Sequence, residues 1–142
     1  MSYGSWWVEL EVSGFKDDPD KVIFDLENED FADYFWFTEN EGKIIIEQAS
    51  DEYFHDSDEM LEKALTRLWS LHKATITGRI LVDSDTGDRF KGEWYNDEGE
   101  LRWGTGIDPA DYTVDQLIKI HEYAEALKEG ENEKSNSSML HQ

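Results

Sequence analysis

The chain has 142 residues, no cysteine and a formal charge of -21, from thirty-four Asp and Glu against thirteen Lys and Arg. The missing cysteines exclude disulfides, thiolate nucleophiles and Cys-based zinc sites, and a field of this sign repels nucleic acid and anionic lipid while it attracts basic surfaces. Aromatic residues make up 13% and include six Trp, so a chain of this length is expected to fold as one domain around one core despite its self-repulsion.

The charge is uneven. Residues 1–60 hold eighteen carboxylates against Lys16, Lys21 and Lys43, whereas residues 61–142 hold sixteen against ten Lys and Arg. Nine of the basic residues are Lys, which argues against adaptation to high salt as the cause. No apolar run has the length of a membrane span, and no basic segment precedes an apolar stretch at the N-terminus. A cytoplasmic protein is expected.

Trp6, Val8, Leu10 and Val12 alternate with Trp7, Glu9, Glu11 and Ser13, which predicts a strand with one wet face. Between Asp17 and Asp33 eight carboxylates are interleaved with Val22, Ile23, Phe24, Leu26 and Phe31, so this stretch is expected to be folded surface rather than a solvated tail. Residues 21–27 fit either a strand or a helix. Asp20 after Pro19 favours a short helix.

The run Tyr34 to Thr38 is apolar on both faces. Either it is a central strand covered on both sides, or Tyr34 and Trp36 join Trp7 on an exposed patch beside Glu9 and Glu11. Three places then share one turn chemistry, Glu39-Asn40-Glu41-Gly42, Ser84-Asp85-Thr86-Gly87 and Asn96-Asp97-Glu98-Gly99, each ending on a glycine able to take positive φ. A type I turn with a following bulge is the expected form, and five strands in two hairpin systems follow: Tyr34–Thr38 with Lys43–Gln48, and Thr75–Asp83, Arg89–Asn96 and Leu101–Gly104.

Two longer helices are marked. The first spans about Ser57 to His72, with Leu61, Ala64, Leu65, Leu68 and Leu71 at helical spacing and Asp56 or Ser57 as cap. The second opens on the capping box Thr113-Val114-Asp115-Gln116 and runs toward Gly130. Residues 131–142 lack periodicity and are expected to be a disordered tail. The predicted fold is α+β over residues 1–130, a mostly antiparallel sheet of about six strands with two main helices on one face. A ferredoxin-like order of the first six elements is compatible with it.

Motifs with chemistry fail in detail. His121-Glu122 begins HEYAE, but Glu125 stands where a zinc helix needs its second histidine, and His121 reads as a partly buried helix residue. A calcium loop starting at Asp83 would need glycine at Asp88 and glutamate at Trp94. Trp103-Gly104-Thr105-Gly106 lacks the lysine and continuing glycines of a phosphate loop. Carboxylate pairs arise by chance in a chain with thirty-four of them, so none singles out an acid–base couple. No cofactor or metal is expected, and the chain reads as a binding protein rather than an enzyme.

The leading expectation is an acidic protein that occupies the nucleic-acid-binding surface of a basic partner, in the manner of inhibitors of nuclease, restriction or CRISPR-type enzymes. Alternate strand carboxylates lie about 6.6 Å apart, near twice the roughly 3.4 Å between phosphates of one DNA strand. The candidate phosphate substitutes are Glu9, Glu11, Asp17, Asp18, Asp20, Asp25, Glu27, Glu29, Asp30 and Asp33, with Trp7 and Trp36 as aromatic anchors. Direct nucleic-acid or membrane binding is not expected. Two alternatives stay open: an interaction or homo-oligomer module using Trp7, Tyr34 and Trp36, and a small-molecule binder walled by Trp94 and Trp103 with Arg79, Arg89 and Arg102 converging.

Overall fold

A computed structural model describes residues 2–105, 112–122 and 125–126. The elements are β1 (Ser2–Ser13), α1 (Pro19–Glu27), a 3-10 helix (Asp30–Tyr34), β2 (Phe35–Asn40), β3 (Lys43–Gln48), β4 (Glu52–Phe54), α2 (Ser57–Ser70), β5 (Thr75–Ser84), β6 (Arg89–Tyr95) and β7 (Glu100–Thr105). Residues 114–122 form a further helix, α3. The fold is α+β, as the patterning predicts. Residues 131–142 and the stretch from 127 to Gly130 lie outside the described residues, as does Gly106.

The seven strands form one antiparallel sheet in the order β2-β3-β1-β5-β6-β7, with β4 pairing the start of β1. The order β5-β1-β3-β2, with α1 and α2 in the long connections, is compatible with the ferredoxin-like pattern. The unforeseen strand is β4, whose three residues are too few to display an alternating pattern. It continues the edge that β3 leaves, and the side chain of Gln48 fills the break by accepting from the Val8 N–H at 2.7 Å.

Alternation along β1 sets both faces. Trp6, Val8, Leu10 and Val12 enter the main core with Val22 and Leu26 of α1 and Leu61, Ala64, Leu65 and Leu68 of α2, all buried. Leu71, expected on that stripe, follows the last turn of α2 and is 56% exposed. On the other face Trp7 packs with Leu81, Tyr112, Leu117 and Ile120. α3 therefore lies on the sheet face opposite α1 and α2, so the two main helices, expected on one face, are on opposite faces. A helix's apolar stripe reports that it packs, not which face of a sheet receives it.

α1 is a helix, as Pro19 at its first turn suggests, and Asp18 caps it by accepting from the Asp20 N–H at 3.1 Å. The Thr113–Gln116 capping box closes reciprocally: Gln116 N–H donates to Thr113 Oγ1 at 3.2 Å and Thr113 N–H to Gln116 Oε1 at 2.9 Å. Gly42, Gly87 and Gly99 all take positive φ. The first hairpin differs from the expected form, because Asn40 pairs with Lys43 and leaves a two-residue loop in which Glu41 also has positive φ, 53°. At Gly78, φ is 135° and a Cβ would sit 2.3 Å from the Glu9 carbonyl oxygen. Only glycine lets β5 lie against β1 there.

Candidate functional site

Carboxylates lie on both sides of the sheet but are balanced differently. On one side α1, the 3-10 helix and α2 make a helical layer in which residues 16–34 and 56–73 hold twelve Asp and Glu against five Lys and Arg. On the other side the strand residues that alternate away from the main core hold seven carboxylates against Lys43, Arg79, Arg89, Lys91 and Arg102. Of these two sets the helical layer has the larger surplus, seven against two.

Not every carboxylate of that layer is available. Arg67 of α2 grips Asp25 of α1 in a fork, Nε to Oδ2 at 2.8 Å and NH2 to Oδ1 at 2.6 Å, while its NH1 lies 2.9 Å from Glu29 Oε1. His72 Nε2 meets Asp25 Oδ2 at 2.7 Å. The Arg67 guanidinium, against the opposing effect of burial and with the help of His72, holds the Asp25 carboxyl at about 2. Lys63 reaches Asp30 at 3.0 Å and lowers its pKa in the same sense. Asp25, Glu29 and Asp30 thus tie α1 and the 3-10 helix to α2, beside a groove of about 740 Å³ between them.

Asp17, Asp20, Glu27 and Asp33 are exposed and carry no ion pair among the described residues, and Asp18 serves as the cap of α1. Two further unpaired carboxylates of the layer, Asp58 and Glu62 of α2, were not singled out from sequence. Their helical spacing placed them beside the core stripe, yet only the packing of the 3-10 helix on α2 brings them to the same layer as Asp33. Phe24 of α1 stands among these charges at 70% exposure.

Glu9 and Glu11 belong to the opposite side. Glu9 is beside Glu47 and Arg79 in register and accepts from Gln116 Nε2 at 3.1 Å, and Glu11 pairs with Lys43 at 2.7 Å. The expected row on β1 is therefore interrupted by its own partners. Trp7 is only 8% exposed because α3 covers it, so it is a core residue rather than an exposed anchor. Trp36 is 62% exposed on the edge strand β2, while Tyr34 ends the 3-10 helix, half-buried, its hydroxyl donating to Asp56 Oδ2 at 2.7 Å. The run from Tyr34 to Thr38 is thus neither central nor joined to Trp7. Phe35 and Phe37 face the core and leave Trp36 alone outside.

The arginines of the second hairpin system do not converge. Arg79 reaches Gln116, Arg89 lies 3.9 Å from Asp83, and Arg102 pairs with Glu98 and Glu100 and stacks over the Tyr95 ring at 4.3 Å. Trp94 and Trp103 pack against the main core. Burial raises the pKa of Asp83, partly offset by Arg89. The turn after it is closed on itself by Ser84, Thr86 and Asp88. His121, expected partly buried, is exposed. Among the described residues no group of three or more His, Asp or Glu is placed to hold a metal ion, and no helix is long and apolar enough to cross a membrane. No protein-family model, curated protein or solved structure was found to match the chain.

Proposed function

We propose that this chain is a non-enzymatic acidic binding protein whose helical layer occupies the nucleic-acid-binding surface of a basic partner, such as a nuclease or another DNA-binding enzyme. The observation that carries the reading is the group of six carboxylates on the helical layer, Asp17, Asp20, Glu27, Asp33, Asp58 and Glu62, that make no ion pair among the described residues. Asp17, Asp20, Glu27, Asp33, Asp58 and Glu62 stand in for phosphates. Lys63 and Arg67 neutralise the inner carboxylates and lock the two helices, which fixes the outer ones in place. A rigid array loses less entropy on binding than a solvated acidic tail, and its field steers a basic partner into contact.

The test is capture of nucleic-acid-binding proteins on the immobilised chain at low and high salt, followed by elution with duplex DNA. Capture should fall steeply as salt rises, and duplex DNA should displace the partner. The quadruple variant D17N/D20N/E27Q/D33N should lose capture while E9Q/E11Q retains it. Capture insensitive to salt and to the quadruple variant would overturn the reading.

Trp36 favours a second reading. An indole 62% exposed on an edge strand, next in register to Glu47, suits an interaction or homo-oligomer module with an aromatic contact. Sedimentation of the wild type and of Trp36→Ser separates the two, because a stable oligomer dispersed by that change needs no acidic recognition.

A further inference from the structure

A trough runs between α3 and the strands β3 and β4, on the sheet side opposite the helical layer. Its two adjoining parts have volumes of about 620 and 460 Å³, and Trp7 and Lys119 line both. Six carboxylates line it without an ion pair among the described residues; Glu9 and Asp51 accept from Gln116 and Gln48, and Glu47, Glu52, Asp115 and Glu122 remain. Lys119 is the one Lys or Arg among the described lining residues, and it too is unpaired. The walls are therefore negative on balance. Because no three of the described acids are placed around one point, the charge suits an extended cation rather than a metal ion.

A second feature narrows the ligand. Trp7 and Ser5, 8% and 7% exposed, line the trough, and Trp7 Nε1 and Ser5 Oγ are buried without a hydrogen-bond partner. An indole N–H is a donor only, so what it lacks is an acceptor. A polyamine cation brings donors alone. An extended peptide brings carbonyl oxygens along its backbone and, at alternate positions about 6.6 Å apart, side chains that face one way.

We propose that this trough binds an extended Lys- or Arg-rich segment of a protein partner. Its backbone carbonyls accept from Trp7 and Ser5, and its basic side chains meet Glu47, Glu52, Asp115 and Glu122. The inference goes beyond the helical-layer reading, since it asks nothing of the partner's nucleic-acid site. A small movement of α3 or of the Trp7 ring has to accompany binding, because the orphaned atoms are closed to water in the free chain.

The full chain is titrated with a blocked peptide alternating Arg and Ala, roughly eight residues long, while the indole N–H resonances are followed by NMR. The Trp7 resonance should move, and spermine at matched ionic strength should leave it in place. Glu47→Gln with Glu122→Gln, both at exposed positions, should weaken the peptide about three- to tenfold, and D17N/D20N should not. The proposal is overturned by a Trp7 resonance that the peptide leaves unmoved, by spermine acting equally, or by loss of binding in D17N/D20N but not in the Glu47/Glu122 variant. None of these outcomes depends on whether the helical layer captures a partner.

Discussion

The helical layer and the opposite side of the sheet are built from similar charged residues, but they spend them differently. On the strand side several acids have a base beside them, as Glu11 has Lys43, Glu93 has Lys91 and Glu100 has Arg102, while Glu47 and Glu52 toward α3 have none. In the helical layer Lys63 and Arg67 of α2 reach inward to Asp25, Glu29 and Asp30, while Lys16, Lys21 and Lys73 and the outer carboxylates make no ion pair among the described residues. The difference teaches that net charge alone does not make a recognition surface; the placement of the few counter-charges does. Packing follows the same division. The main core joins all of the sheet's centre to α1 and α2, whereas α3 is held by a cluster of four buried residues.

That contrast can be broken most strongly in the core. Leu65→Ala, under the helical layer, should cost about 2–5 kcal/mol in denaturant unfolding. Ile120→Ala, under α3, should cost less globally and instead speed amide exchange in residues 114–122. Equal global losses would mean that α3 is as integral as α2.

Next comes the clamp. Asp25 has its pKa lowered to about 2 from 3.8, so its contribution to stability is fully present above the unfolded value and is lost as pH falls through the folded one. The shift corresponds to about 2 kcal/mol. Wild-type unfolding free energy should therefore drop between about pH 4 and pH 2, and Asp25→Asn should start lower and show less of that drop. Acid unfolding curves that superimpose would refute the tie.

A smaller effect is expected from the outer carboxylates. D17N/D20N/E27Q/D33N should leave stability unchanged or raise it by about 0.5 kcal/mol at low salt, since it relieves self-repulsion, while abolishing partner capture. Stability lost together with capture would make these residues structural. The least effect belongs to Lys43→Ala, whose pair with Glu11 is about half exposed on both sides and is screened by solvent, so the melting transition should stay within measurement error of the wild type.

Much of the fold was legible because its signals are local. Trp6 to Val12 alternate, Leu61 to Leu68 recur at helical spacing, and the glycines at 42, 87 and 99 mark turns that do form there. Where a local preference met a register constraint it yielded: Glu41 accepts a left-handed conformation because Asn40 and Lys43 pair across it. The candidate site was legible only as a stretch of acids between Asp17 and Asp33. Nothing in the sequence distinguished Asp25, which a guanidinium fork removes from the surface, from Asp20 or Glu27, which stay outside.

The sequence by itself determined the strands, the helices, the turns and the sign and unevenness of the charge, since each depends on neighbours a few positions away. Only the tertiary structure decided that α3 covers Trp7, that Trp36 stands exposed on an edge, and that Arg67 and Lys63 engage Asp25, Glu29 and Asp30 from neighbouring elements. Those outcomes depend on contacts between residues far apart in the chain, such as Gln116 with Glu9 and Arg67 with Asp25, and periodicity carries no record of them.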